Sequence, residues 1–299
     1  MKRALKMRTT KLSAVALVAI GALLATPAHA ATSITACPYT ITAPGDYRLD
    51  ADLSCTGDAI TIQASHVHLN LNTHQLAGSS SFTDRGIVVY SATSRLTDVQ
   101  IKGPGVVSSF GEAIELDNTD NTNVEGVTAS FCFVGIATGV VSGTTVTNVH
   151  LNKNVLALAL SIGVAIGNST NGQVQENVMN GFVFISGGTA GIAVTGGSGN
   201  DIQNNTTLGY IDGISVGVGG VGSASSGNHI HDNVSSGNVA SGIHIASGSG
   251  NNVVEHNTAL GNTAFNSAGT DLVDDNAACG TNRWHDNTFI TATPACAGQ

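Results

Sequence analysis

Charge is scarce in this chain. Of 299 residues, 11 are Lys or Arg and 20 are Asp or Glu, so only 10% carry charge, where an ordinary soluble domain carries about 25%. So few cations exclude sequence-independent binding to nucleic acid, whose phosphates demand many Lys and Arg contacts. Aromatic residues make up 4%, with Trp284 the single tryptophan. No segment after residue 30 shows a 3.6-residue apolar stripe bounded by helix caps, which sets aside an α-helical architecture. Low charge alone would suit a membrane protein, and 37 Gly with few aromatics would suit disorder. Neither fits a chain that is 41% apolar and whose Val and Ile recur at intervals.

The N-terminus reads as a secretory signal peptide over residues 1–30. Lys2, Arg3, Lys6, Arg8 and Lys11 form a basic start, Leu12 to Ala25 is an apolar run, and Ala28-His29-Ala30 offers small residues at a cut after Ala30. The run is shorter than the ~20 residues of a membrane span. Removing it leaves six cations against the same 20 acids, a net charge of −14. The expected location is the periplasm or the cell exterior, with no membrane span in the mature chain. Such a compartment permits disulfides. Spacing suggests Cys37–Cys55 near one end and Cys279–Cys296 near the other, with Cys132, in an apolar stretch, left as a buried thiol.

The chain repeats itself. A small residue followed by an apolar one recurs at Ala59-Ile60, Gly86-Ile87, Ala113-Ile114, Gly135-Ile136, Gly163-Val164, Gly191-Ile192, Gly213-Ile214 and Gly242-Ile243, with Asp271-Leu272 a degenerate ninth, at spacings of 22 to 29 residues. A second marker, an apolar residue followed three positions later by Asn, runs in phase with it and ends at Asn154, Asn177, Asn205, Asn233, Asn257 and Asn287. Each repeat holds short stretches of period-2 alternation separated by Gly and Asn, the residues of bends. A repeat of about 26 residues goes once round a three-sided prism. Stacked at about 4.8 Å, the six Asn would lie one above another, their amides donating and accepting along the column.

This pattern resembles the right-handed parallel β-helix repeats of the pectate-lyase-like superfamily, which includes pectate lyases, polygalacturonases, alginate epimerases, phage tailspikes and a periplasmic copper-processing protein. The resemblance covers about residues 57–290; residues 39–62 look like the opening coil of secreted bacterial members and 279–289 like a closing coil. It implies an all-β, right-handed parallel β-helix of about nine coils with disulfide-bearing end caps. The expected organisation is signal peptide 1–30, N-terminal cap and first strand 31–57, β-helix 58–274, and last coil with C-terminal cap 275–299.

The resemblance implies an extracytoplasmic protein that interacts with a polysaccharide or cell-surface glycan, as a lyase or epimerase on acidic glycans or without catalysis. Outward positions on the first strand of each coil collect chemistry near the N-terminus. Glu115 and Asp117, two apart on one strand, share a face; Tyr90 is expected beside Asp117, and Arg85 close by. Two carboxylates there could act as acid and base, or hold Ca²⁺ with a uronate, while Tyr90 takes a proton and Arg85 neutralises the sugar carboxylate. The epimerase Asp-Pro-His-Asp is absent, and Asn118-Thr119-Asp120 has no downstream Arg-Ile-Lys of the polygalacturonases. Further along, the small outward residues Ala137, Gly139, Ala165, Gly167 and Ala193 let something approach the sheet closely, such as a flat glycan, another subunit or, the favoured reading, a loop of the same chain. Two alternatives stand beside the glycan reading. One is a rigid structural module. The other is a periplasmic metal-binding accessory using the outward column His231, Glu255 and His285, whose straight row suits an ion between neighbours better than one ion held by all three.

Overall fold

The computed structural model describes residues 30–181, 190–217, 224–262 and 269–299. The signal-peptide reading therefore lies, except for Ala30, outside the described residues. Among them no helix is long and apolar enough to cross a membrane.

The chain winds as a parallel β-solenoid. Among the described residues, sheet A has 11 strands, from Thr32–Ile34 to Arg283–His285; sheet B has 11, from Tyr39–Ile41 to Ala292–Thr293; sheet C has nine, from Leu53–Ser54 to Thr258–Leu260. A short fourth sheet of four strands, Leu96–Thr97 to Ser169–Thr170, widens one corner. Each strand pairs in parallel with its equivalent in the next turn, so the apolar markers stack: Ile114, Ile136, Val164, Ile192, Ile214, Ile243 and Leu272 follow one another in register on sheet B. On sheet A, Val124, Leu151, Val174, Ile202, Ile230, Val254 and Trp284 do the same. These columns are buried and form one continuous core.

The small residue of the first marker has a packing cause. A Cβ on Gly135 would stand 2.5 Å from the carbonyl oxygen of Gly163, and one on Gly163 2.6 Å from that of Gly191. Adjacent turns approach too closely there for a side chain.

The Asn column forms as expected. Asn205 accepts from both the backbone N–H and the side-chain amide of Asn177, each at 3.0 Å, and donates to the Val174 carbonyl at 2.8 Å and to Asn233 Oδ1 at 3.0 Å. The same pattern links Asn154 to Asn177, Asn233 to Asn257, and Asn257 to Asn287. The left-handed backbone falls on the residue before each ladder Asn: Lys153, Glu176, Asn204, Asp232, His256 and Asp286 have φ of 54–56°. The ladder amides thus brace a bend that non-Gly residues adopt only at a cost. A second buried ladder, Asn200, Asn228, Asn252 and Asn282, lies at the other end of the sheet A strands, at the corner before them. Cys37 is bonded to Cys55 and Cys279 to Cys296, and Cys132 is free and buried.

Candidate functional site

The residues expected to carry catalysis lie on sheet B. Arg85 and Glu115 are on paired strands, and the Arg85 guanidinium reaches Glu115 at 3.0 Å and Asp58 at 2.6 Å. Leu116 pairs with Val89, so Asp117 and Tyr90 follow side by side one position on. Arg85, Glu115, Asp117 and Tyr90 do come together. The expectation of open, outward carboxylates is corrected, however: Glu115 is 2% exposed and Asp117 0%. Asp117 Oδ1 accepts from the Val141 N–H at 3.1 Å and the Thr144 hydroxyl at 3.0 Å, so the turn carrying these residues closes over it. Burial, then the neighbouring Glu115, pushes the Asp117 carboxyl up to about 6, and burial also raises Glu112 and Glu115. A polymer cannot reach this acid cluster while that turn stays in place.

Sheet A presents the open chemistry. Alternation places two residues of each strand outward around a buried apolar one, for example Gln100 and Lys102 around Ile101, or His150 and Asn152 around Leu151. Stacking turns these into two columns. One runs His68, Gln100, Asn123, His150, Gln173, Asp201, His229; the other runs Asn70, Lys102, Glu125, Asn152, Gln175, Gln203, His231, Glu255, His285. Two depressions lie along this face. One, of about 410 Å³, is lined by residues that include Asp46, Tyr47, Arg48, His68, Asn70, Gln100 and Lys102. The other, of about 270 Å³, is lined by Gln100, Asn121, Asn123, His150, Asn152 and Gln175. In the second, the buried Oδ1 of Asn152 has no hydrogen-bond partner.

At the C-terminal end of the face, imidazoles and carboxylates interlock. His231 Nε2 lies 2.8 Å from Asp201 Oδ1 and its Nδ1 2.7 Å from Asp232. Although burial opposes the charge, Asp232 and Asp201 outweigh it and raise the His231 pKa. The ring of His229 stacks on that of His231 with centroids 4.1 Å apart, and its Nε2 lies 2.7 Å from Glu255. The other Glu255 oxygen meets His285 Nε2 at 2.8 Å. The expected row His231, Glu255 and His285 is therefore a register column but not one ligand sphere. Glu255 bridges His229 and His285, and His231 turns to Asp201. Among the described residues, Asp201, His229 and His231 are the group whose donor atoms all lie within 4.8 Å of one another. Asp201 and His229 sit two residues before Gln203 and His231, so strand alternation already put them on the same face.

A family model described as "Periplasmic copper-binding protein (NosD)" matches residues 97–296, about two thirds of the chain. No curated protein matches. Among solved structures, a DFA-IIIase from Arthrobacter chlorophenolicus A6 in complex with GF2 is 14% identical with a TM-score of 0.53, over 86% of this chain and 61% of that one. The Dettilon tailspike protein (gp208) is 16% identical with a TM-score of 0.49, over 85% of this chain and 51% of that one. An alginate lyase from Paenibacillus sp. str. FPU-7 is 15% identical with a TM-score of 0.47, over 80% and 98%. This chain thus spans about half to three fifths of the length of the DFA-IIIase and the tailspike. At these identities the likeness is one of fold.

Proposed function

The chain belongs to the family described as periplasmic copper-binding protein (NosD), and from that membership and its fold we propose that it works outside the cytoplasm, where the outer face of sheet A binds a polysaccharide. The observation that carries this reading is the open polar depression of about 270 Å³ on that face, lined by Gln100, Asn121, Asn123, His150, Asn152 and Gln175. Side-chain amides and an imidazole can each donate to and accept from sugar hydroxyls. The ladder spacing of about 4.8 Å repeats the same groups along the face, which suits a polymer more than a small molecule. Lys102 lines the larger depression and has no ion pair among the described residues, so its ammonium can meet a uronate carboxylate. Binding, not cleavage, is the reading this geometry favours, because the acid pair on sheet B is closed over.

The test is a panel of neutral and acidic polysaccharides presented to the mature, tag-free chain, with binding and near-ultraviolet absorbance of unsaturated products both recorded. An acidic polymer is expected to bind without such products. A Lys102→Ala/Asn152→Ala double variant is expected to bind at least tenfold more weakly with unchanged thermal stability. No binding across the panel, or undiminished binding by the double variant, overturns the proposal.

A further inference from the structure

The imidazole and carboxylate cluster at the C-terminal end of sheet A has a different chemistry from the depressions and stands independently of the polysaccharide reading. The family description names copper, so the first question is whether the residues present fit a metal ion at all. Three donors bonded at about 2.1 Å in tetrahedral directions stand about 3.4 Å apart. Here Asp201 Oδ1 lies 2.8 Å from His231 Nε2 and 3.9 Å from His229 Nδ1. These separations bracket that requirement and need only small side-chain adjustments.

The outer contacts fit as well. A metal-bound histidine ordinarily donates its other ring N–H to a carboxylate or carbonyl, which fixes the tautomer and the ring plane. Both histidines have such a partner. Glu255 stands 2.7 Å from His229 Nε2, leaving Nδ1 to face Asp201, and Asp232 stands 2.7 Å from His231 Nδ1, leaving Nε2 to face Asp201. Each imidazole thus has one nitrogen aimed at a shared oxygen and the other held by a separate acid.

We infer that Asp201, His229 and His231 form a site for one divalent transition-metal ion, with Glu255 and Asp232 as positioning residues. The donor set decides the class of metal. Two imidazoles and a carboxylate suit Cu²⁺, Ni²⁺ or Zn²⁺, with Cu²⁺ the tightest by the usual order. The soft ligands that favour Cu⁺ are buried away from this face: Met179 is 0% exposed and the free thiol of Cys132 1%. Three protein donors leave at least one coordination position to solvent or to a partner, the arrangement of a site that exchanges its ion or shares it.

The experiment uses the mature chain, purified without an affinity tag, stripped with EDTA and titrated with Cu²⁺ at pH 7.5 by calorimetry and electron paramagnetic resonance. One ion per chain is expected, with hyperfine coupling to two nitrogens. His229→Ala, His231→Ala and the near-isosteric Asp201→Asn are each expected to weaken binding, the histidine variants by about a hundredfold. Glu255→Gln should weaken it by about ten- to a hundredfold and reduce or alter the His229 coupling, which a purely structural role would leave intact. His74→Ala is the control, since His74 pairs with Asp52 at 3.0 Å but is outside this triad; its binding should match that of the unmodified chain. Unfolding curves in EDTA establish that each variant is folded, and Asp201→Asn carries the test where a histidine variant is not. Several equivalent weak ions per chain, or unchanged binding after loss of His229 or His231 or in Asp201→Asn, overturns the inference.

Discussion

Arg85 reaches across one turn of the solenoid and sets its Nη1 3.1 and 3.0 Å from the two carboxylate oxygens of Glu115. The Glu115 side chain is 3% exposed, so this cation is what makes a buried carboxylate tolerable there. Removing one partner of a buried pair leaves the other uncompensated. Arg85→Gln is expected to cost on the order of 3 kcal/mol at pH 7.5, read as a lower urea midpoint with unchanged slope. Arg85→Lys should recover only part of this, because an ammonium cannot reproduce the planar fork that also grips Asp58. A loss below about 0.5 kcal/mol for Arg85→Gln would show that the acids beneath it need no counter-charge.

Asp117 gives the stability a pH dependence of definite sign. Its carboxyl sits above the ordinary value of 3.8, at about 6, because burial and then Glu115 disfavour the charge. A folded-state pKa raised above the unfolded one gives stability that is complete below pH 3.8 and lost as the pH rises through about 6. Asp117→Asn, which stays neutral and keeps an acceptor for Val141 and Thr144, should therefore stabilise the chain at pH 8 by about 1–3 kcal/mol and change little at pH 4. His244 acts in the same direction at higher pH. Burial opposes its charge, yet hydrogen bonds to Asp212 and Asp275 hold its pKa at about 9, so its contribution is complete below 6.5 and fades as the pH passes about 9. Thermal unfolding of both chains from pH 4 to 9 checks this; an Asp117→Asn chain no more stable than its parent at pH 8 would contradict it.

The Asn column makes a positional prediction. Asn205→Ala strips the acceptor from both the backbone N–H and the amide of Asn177 in a buried corner, at an expected cost of about 2–4 kcal/mol. The neighbouring Asn204→Gly removes a side chain from a backbone at φ 55° and should be neutral or slightly stabilising. Urea unfolding of the two variants, one residue apart, should give effects of very different size. Equal effects would mean that the ladder bears no weight.

Much of the fold was readable because stacking imposes its own period. Ile136, Val164 and Ile192 must recur at one-turn intervals to share a column, and Gly135 and Gly163 must be small because the next turn is too near. The second ladder was equally visible, since Asn200, Asn228, Asn252 and Asn282 each stand five residues before Asn205, Asn233, Asn257 and Asn287, but corner Asn also read simply as bend residues. The site was harder. Period-2 alternation says which side of a strand Glu115 and Asp117 occupy, not that Val141 and Thr144 fold over them. It located His231, Glu255 and His285 in one column, yet coordination depends on which way each ring turns, and His231 turns along its own strand pair to Asp201 rather than along the column to Glu255.

The outer face of sheet A is the working surface in this account, and footprinting by hydroxyl radicals, with and without a bound polysaccharide from the panel, tests that directly. Protection is predicted along residues 100–102, 121–123, 150–152 and 173–175, with sheet C strands such as Val178–Gly181 and Val234–Ser236 unchanged. Protection centred on Arg85 to Asp117, or spread along sheet C, would contradict it.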